Sequence, residues 1–412
     1  MPSVAANIYR SRPRQMTFTL LLDLDDTLLG NNTDIFIPAY TKALADDLSH
    51  LHPPELLIEK LFAAVRLMIE NRSPARTLKQ VFDTSFYPAI GVQEAAARWD
   101  IERFYEQVYP GLKSLTHPNP AAFELVEQAA ARGMTMAIAT NPLFPLTAIL
   151  QRIAWARLDP NCFRLITSYE NFHFAKPNPA YFAEILGLLG CPEGPVVMVG
   201  NNPKDDIAAA QAAGLATFWV NDTIRELDDS RHASGTLADV LTWIDRRKPE
   251  ELLPNIHHYP GSLAVVRSTP AVLSELTDVL PADDWTQKPA PDSWAPVEIL
   301  CHLRDVDRDV NLGRIESVLS SENPFLPGAD TDVWADERIY ICQNGPQAWH
   351  EFLQARIELL EFLTPIQAED WQRTARHAIF GPTDLTELIY FIAGHDQLHI
   401  RQMVDALEKV TT

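Results

Sequence analysis

The sequence predicts two folds in succession: an α/β domain on a parallel sheet, with a helical segment inserted near its start, and then an all-α four-helix bundle. Three observations carry that expectation. Short apolar runs at 18–22, 134–139, 163–167, 196–200 and 216–220 alternate with helical stretches, the order that gives parallel strands with helices on both faces. Roughly a hundred residues between the first two runs read as helix throughout. Beyond about residue 263 the strand pattern stops and four long amphipathic stretches follow. At 412 residues the chain also exceeds one ordinary core, so two domains are expected.

The first apolar run ends in Asp23, Asp25 and Asp26, three carboxylates within four residues, which is poor core material. The carboxyl ends of strands are where open α/β sheets place their ligands. Two apart on an extended segment, Asp23 and Asp25 face the same side. Like charges held close need a cation or a shared proton, and a hard divalent ion, most simply Mg2+, suits them. In the segment that follows, Leu57, Leu61, Val65 and Met68 recur at three and four within 54–71, one face of a helix. Similar stripes run through 38–50, 77–90 and 93–108. From Pro118 onward, helices at 120–132, 143–153, 178–189 and 205–213 alternate with the remaining strands. That alternation brings Asp23, Thr140 and Asp206 to one edge of the sheet, with Lys176 ahead of a helix and within reach of it.

Asp23-x-Asp25-x-Thr27 resembles the first motif of the haloacid dehalogenase-like hydrolases, and later matches come in that family's order. Ala139-Thr140-Asn141 resembles the second, Lys176 in Phe174-Ala175-Lys176-Pro177 the third, and Gly200-Asn201-Asn202-Pro203-Lys204-Asp205-Asp206 the fourth. The resemblance covers roughly residues 16–245 and implies a Rossmann-like parallel sheet with a helical cap at about 35–115. It implies Asp23 as nucleophile, giving an aspartyl-phosphate, and Asp25 as the acid that protonates the leaving oxygen and later activates water. Thr27, Thr140, Asn141 and Lys176 would bind the phosphoryl group, with Thr140 and Lys176 counted among the catalytic residues. Mg2+ would be held by Asp23, Asp25 through its backbone carbonyl, Asn201, Asp205 and Asp206. Asn201 departs from the Gly-Asp that opens the fourth motif in much of the family, so the charge of the metal site falls on Asp206, with Asp205 beside it.

The net charge of −21 argues against nucleic acid and anionic membrane as partners. About −14 of it lies in residues 260–412, where 11 basic residues face 25 acidic ones. Four cysteines without C-x-x-C spacing suit a reducing cytoplasm. No apolar run approaches a membrane span, and residues 1–15 read as a disordered tail. Residues 246–262 are charged, Pro-punctuated and without apolar period, which predicts a linker and two separable domains.

Residues 263–412 read as helices at 263–280, 296–320, 345–364 and 384–408. An internal repeat marks them: Asp283-Asp284-Trp285 with Trp294-x-Pro296 parallels Glu369-Asp370-Trp371 with Phe380-x-Pro382. Measured from the two prolines, His302 and His395 differ by two helical turns and so share a face, and His399 lies one turn beyond His395. Three imidazoles converging from facing helices is how bundles build metal sites. This stretch resembles the DinB-like domains, which implies that His302, His395 and His399 bind one divalent ion, Zn2+ or Ni2+, released as pH falls through roughly 6.

The expected activity is therefore Mg2+-dependent hydrolysis of a small phosphorylated metabolite, in a chain compatible with homo-oligomers. A dehalogenase is the nearest alternative, but it needs no leaving-group acid, and Asp25 is one. A phosphotransferase needs a hydroxyl acceptor, about which the sequence is silent. From another class, a metal-binding or ligand-sensing protein on a catalytically weak scaffold is favoured by Asn201 and opposed by Asp23, Asp25, Thr140 and Lys176.

Overall fold

The computed structural model describes residues 17–278 and 280–410; the expected tail at 1–15 lies outside them. β1 (Thr19–Leu22) is buried along its whole length, as a strand covered by helices on both faces must be. After β2 (Leu29–Gly30) come α1 (Thr33–Asp47), α2 (Pro54–Glu70), α3 (Leu78–Ala89) and α4 (Glu94–Arg103), the last continuing through a π-helical turn at Phe104–Val108. β3 (His117–Pro118) brings the chain back, pairing antiparallel with β2 so that Leu29 opposes Pro118 and Gly30 opposes His117. The two crossings between the helical insertion and the sheet are thereby zipped together.

The chain then alternates through α5 (Pro120–Ala131), β4 (Thr135–Ile138), α6 (Leu146–Trp155), β5 (Leu165–Ile166), α7 (Pro179–Leu188), β6 (Val196–Gly200), α8 (Ala209–Ala212), β7 (Ala216–Val220), β8 (His232–Gly235) and α9 (Val240–Asp245). The strands form one parallel sheet in the order β5-β4-β1-β6-β7-β8. β1 lies at its centre, with Leu22 opposite both Ile138 and Val199. β8 was not expected: His-Ala-Ser-Gly has no apolar period, and its pairing is dictated by the open edge of β7.

The second half contains α10 (Tyr259–Thr277), α11 (Pro296–Val306), α12 (Leu312–Ser320), α13 (Trp334–Glu337), α14 (Gly345–Leu363) and α15 (Leu385–Val410). A π-helical turn at Asp307–Asn311 joins α11 to α12. The bundle is α10, α11 with α12, α14 and α15. A small sheet of β9 (Phe325–Leu326), β10 (Thr374–His377) and β11 (Gly381–Asp384) closes one end. Among the described residues no helix is long and apolar enough to cross a membrane.

The stretch 246–262 is not a free linker. Leu252 is fully buried, Asn255 N donates to Gly214 O at 2.8 Å, and the Arg231 guanidinium donates to the carbonyls of Glu251 and Leu253 at 2.9 and 3.0 Å. The first bundle helix starts at Tyr259, four residues ahead of the expected 263. Nor are the two halves separate in space. α10 packs on α7 of the sheet domain on one side and on α15 on the other. Ala271 joins a core with residues of the sheet domain, while Ala183 joins the core of the bundle. Ala180 to Gly187 are buried without interruption: apart from Glu184 the stretch carries apolar residues on every side, which need cover all round.

Candidate active site and metal centre

The first site forms where β1 and β6 end side by side. Asp23 follows β1, and its Oδ1 accepts a hydrogen bond from Lys176 Nζ at 2.9 Å. The same ammonium donates to Asp206 Oδ1 at 2.5 Å, so residues 23, 176 and 206 meet at one buried point. Thr27 Oγ1 donates to Asp23 Oδ2 at 2.9 Å and lies 3.3 Å from Asn201 Oδ1. The loop after β6 is a π-helical turn, Pro203–Ala208, of the kind often found at functional sites. Asn202 caps it, its side chain accepting from Lys204 N and Asp205 N at 3.0 Å each. Its own N–H donates to Asp206 Oδ2 at 2.9 Å. Gly200 is required here, since a Cβ would meet Asp206 Oδ2 at 2.3 Å. Trp219 Nε1 donates to Asn201 O at 2.9 Å and fixes that residue.

Burial raises the Asp23 carboxyl to about 7, the charge of Asp206 adds to this, and Lys176 opposes it. Lys176 itself is held above the usual lysine range because Asp206 and Asp23 outweigh its burial. One ammonium thus faces two buried carboxylates, with the Asn201 amide oxygen beside them. An all-oxygen donor set with surplus negative charge fits a hard divalent cation such as Mg2+.

Thr140 ends the strand next to β1, its carbonyl accepting from Tyr181 OH at 2.6 Å and Thr167 Oγ1 at 2.9 Å. Asn141 Oδ1 accepts from Lys176 N at 3.2 Å, tying the second motif to the third. Two expected residues point elsewhere. The Asp25 side chain turns to Asn31 Nδ2, at 2.7 Å, and to Arg152, so any role in holding the metal rests on its backbone carbonyl. Asp205 is half-buried and joins the cluster only as a neighbouring charge; burial and then Asp206 raise its carboxyl. Asp26 is structural: its carboxylate accepts from Asn31 N, Asn32 N and Thr33 N at 2.7–3.1 Å, closing the turn into α1.

Sequence reasoning missed Arg152, Asn31 and Glu184. Glu184, on α7 and fully buried, accepts from the His173 ring at 2.8 Å and from the backbone N–H of His173 and Phe174 at 3.1 and 3.3 Å, which pins the loop leading to Lys176. A glutamate and an arginine inside otherwise apolar helices were the available signals.

In the bundle, His302 from α11 and His395 and His399 from α15 converge. The Nε2 atoms of His302 and His399 each lie 3.0 Å from that of His395. Among the described residues this is the cluster of three His, Cys, Asp or Glu side chains whose ligand atoms lie within 4.8 Å of one another. Burial, with His399 adding, pushes His302 down to about 3; burial pushes His399 down to about 4 and His395 well below its usual value. Burial thus favours the neutral form of all three imidazoles. His399 Nδ1 lies 2.8 Å from Gln402 Oε1; donating there leaves the Nε2 lone pair facing the cluster. Zinc with nitrogens at 2.0–2.1 Å would separate them by roughly 3.4 Å, a small opening of the observed spacing. Trp294 stacks on His399 with ring centroids 5.6 Å apart and walls off one side.

Buried charges hold α15 beneath this centre. Arg356, fully buried on α14, donates through Nη1 and Nη2 to Asp396 at 2.5 and 2.9 Å and through Nε to Asp307 Oδ2 at 2.6 Å. Thr269 of α10 donates to Asp396 Oδ2 at 2.9 Å.

Comparison with known proteins follows the same division. A family model described as haloacid dehalogenase-like hydrolase matches residues 19–214, and one described as DinB superfamily matches residues 266–403. The chain is 28% identical over 202 residues to a phosphoglycolate phosphatase of Rhodospirillum rubrum, a match covering 48% of this chain and 78% of that protein. It is 27% identical over 239 residues to a phosphoserine phosphatase of Thermus thermophilus, covering 51% and 90%. Among solved structures it is similar to a 2-haloacid dehalogenase of Pseudomonas syringae pv. tomato, at 24% identity and a TM-score of 0.41, covering 56% of this chain and 99% of that one. Another, YfiT of Bacillus subtilis, described as a probable metal-dependent hydrolase with an unusual four-helix bundle topology, aligns at 14% identity and a TM-score of 0.34 over 36% of this chain and 86% of its own.

Proposed function

We propose, for a chain that joins a haloacid dehalogenase-like hydrolase domain to a DinB-superfamily domain, that the first domain is a Mg2+-dependent phosphatase of small phosphate esters. The observation that carries this reading is the buried meeting of Asp23 and Asp206 on the single ammonium of Lys176. Three residues spread over almost two hundred positions are held there at a cost in desolvation that a purely structural role does not require.

In the proposed reaction Asp23 attacks phosphorus in line, and the bond to the leaving oxygen breaks as Asp25 gives that oxygen its proton. Water then attacks the aspartyl-phosphate, Asp25 takes a proton from it, and the Asp23 carboxylate is released with inorganic phosphate. Lys176 steadies Asp23 throughout and, with Thr27, Thr140 and Asn141, offers donors to the phosphoryl oxygens. Mg2+, held by Asp23, Asp206, Asn201 and the Asp25 carbonyl, would supply charge neutralisation between nucleophile and phosphate. The helical insertion covers the site and excludes water. The three histidines of the second domain would hold Zn2+ or Ni2+. The cysteines, none of them disulfide-bonded, support a reducing cytoplasm as the compartment.

The test is an assay of the full chain with Mg2+ against a panel of phosphomonoesters that includes phosphoglycolate and phosphoserine, with Asp23→Asn as control. Wild type should release phosphate and the variant should fall to background while keeping its circular dichroism spectrum. Undiminished activity in Asp23→Asn would remove the covalent mechanism.

A further inference from the structure

One cation beside the proposed site has no counterpart in that mechanism. Arg152 on α6 is only 1% exposed. Its Nη1 pairs with Asp25, while among the described residues Nε and Nη2 have no hydrogen-bond partner. The Phe144 ring lies 4.4 Å from the guanidinium carbon; it covers a face of the group and accepts nothing from its edge. Tyr109, contributed by the helical insertion, is fully buried, and its hydroxyl too has no hydrogen-bond partner among the described residues. It stacks on Trp155 of α6, centroids 5.3 Å apart, and is close enough to feel the charges of both Arg152 and Asp25. The neighbouring hydroxyls of Tyr40 and Tyr105 are spent on each other at 2.9 Å. Buried polar groups are almost always satisfied, so donors left open on a charged side chain mark a place where something else binds. Nε and Nη2 form the side edge of the guanidinium, whose two parallel N–H bonds match a carboxylate.

We infer that Arg152 is a specificity-determining residue whose free edge, with the Tyr109 hydroxyl, binds a carboxylate on the leaving-group part of the substrate, so that the enzyme acts on phosphate esters of small hydroxy acids. This rests on the reading of Asp25 as the group that serves the leaving oxygen. Asp25 and Arg152 are in direct contact, so a carboxylate borne on the carbon next to the ester oxygen reaches the guanidinium while that oxygen stays on Asp25. A bare alkyl phosphate would leave the two nitrogens and the Tyr109 hydroxyl buried and unsatisfied, which is how a polar site rejects a substrate lacking the matching group. Arg152 belongs to the sheet domain and Tyr109 to the insertion, so the pair is assembled only with the insertion seated on the sheet.

The experiment compares 2-phosphoglycolate with its neutral amide, using the full chain and Mg2+. Two charge-assisted hydrogen bonds predict a kcat/KM about a hundredfold higher for the acid. Arg152→Gln should bring that ratio to within about threefold of one, with Arg152→Lys between, and Tyr109→Phe should lower it several-fold. Titration calorimetry with 3-phosphonopropionate and its amide, which cannot be hydrolysed, should show the same preference in binding. Equal binding of the two phosphonates by wild type overturns the inference, as does a preference that survives in Arg152→Gln. Should Arg152→Gln fail to fold, the wild-type ratio and Tyr109→Phe decide. Discrimination between the phosphonates without hydrolysis of either ester would keep the carboxylate site and remove the phosphatase reading; hydrolysis of both esters at equal rates would do the reverse.

Discussion

A Cβ built on Gly187 of α7 would lie 2.5 Å from Val272 Cγ2, 3.0 Å from its Cγ1 and 3.2 Å from its Cβ on α10. Two effects of opposite sign then compete in Gly187→Ala. Inside a helix alanine is favoured over glycine by about 1 kcal/mol. Adding a methyl to a filled interface costs about 1–3 kcal/mol, and Val272 is fully buried and, being β-branched, restricted in χ1 on a helix. Packing wins, and the expected result is a net loss of about 1 kcal/mol. Were α7 a solvent-facing helix, the same substitution would stabilise by about 1 kcal/mol, so the sign alone reports whether the two domains are joined through these helices. Urea unfolding of the full chain, Gly187→Ala, Val272→Ala and the double variant forms a cycle. Truncating Val272 makes room for the new methyl, so the double variant should be more stable than the sum of the singles by about 1–2 kcal/mol. A stabilising Gly187→Ala, or additivity within about 0.3 kcal/mol, would refute the packing of α7 on α10.

Asn201→Asp should lower the Mg2+ concentration that gives half-maximal rate, and Asp206→Asn should raise it steeply, both read from a rate titration with the metal; an unchanged titration in Asp206→Asn would remove that residue from the site. Metal loading of the full chain followed by elemental analysis should find one equivalent of zinc or nickel beyond the Mg2+ site, lost equally in His302→Ala and His399→Ala. His377→Ala should keep it, because His377 Nδ1 is already engaged by Ile379 N and Phe380 N. Only neutral imidazole coordinates. Since burial lowers His302 to about 3 and His399 to about 4, protons should compete for the site only as pH approaches 4, below the value near 6 that an ordinary histidine suggests. Release of the metal by pH 6 would contradict the buried, neutral triad.

The placement of both candidate sites is more legible in the sequence than the relation of the two domains. Asp23, Thr140 and Asp206 stand out because charged or hydroxyl side chains after strands break an apolar pattern, and Lys176, ahead of a helix, falls between them in a fixed order. His302, His395 and His399 are recoverable because helical geometry converts spacing into a shared face. Arg152 is not legible, since one arginine in Leu-Thr-Ala-Ile-Leu-Gln-Arg-Ile reads as the polar edge of an amphipathic helix; only the fold reveals that Asp25 lies against it. β8 has no signal of its own. The segment 246–262 has a linker's composition, yet Leu252, Asn255 and the carbonyls of Glu251 and Leu253 are taken up by the sheet domain, and its last residues already form the first turn of α10. The union of the halves has a signal in the runs Ala180-Tyr181-Phe182-Ala183 and Ala264-Val265-Val266, which are too wide for one helix face and call for cover on more than one side.

Asp396 follows His395 directly in the chain and points about 100° away around the helix. Its carboxylate, gripped by Arg356 and Thr269, acts as a key in a slot that sets the rotation of α15. An apolar trio of equal volume in place of Asp307, Arg356 and Asp396 would fill the interior as well, and such exchanges often leave stability unchanged or improved. It would have no preferred angle, however, and a turn of one residue would carry both imidazoles of α15 away from His302. The aim of the three imidazoles is thus stored in ions that lie outside their cluster.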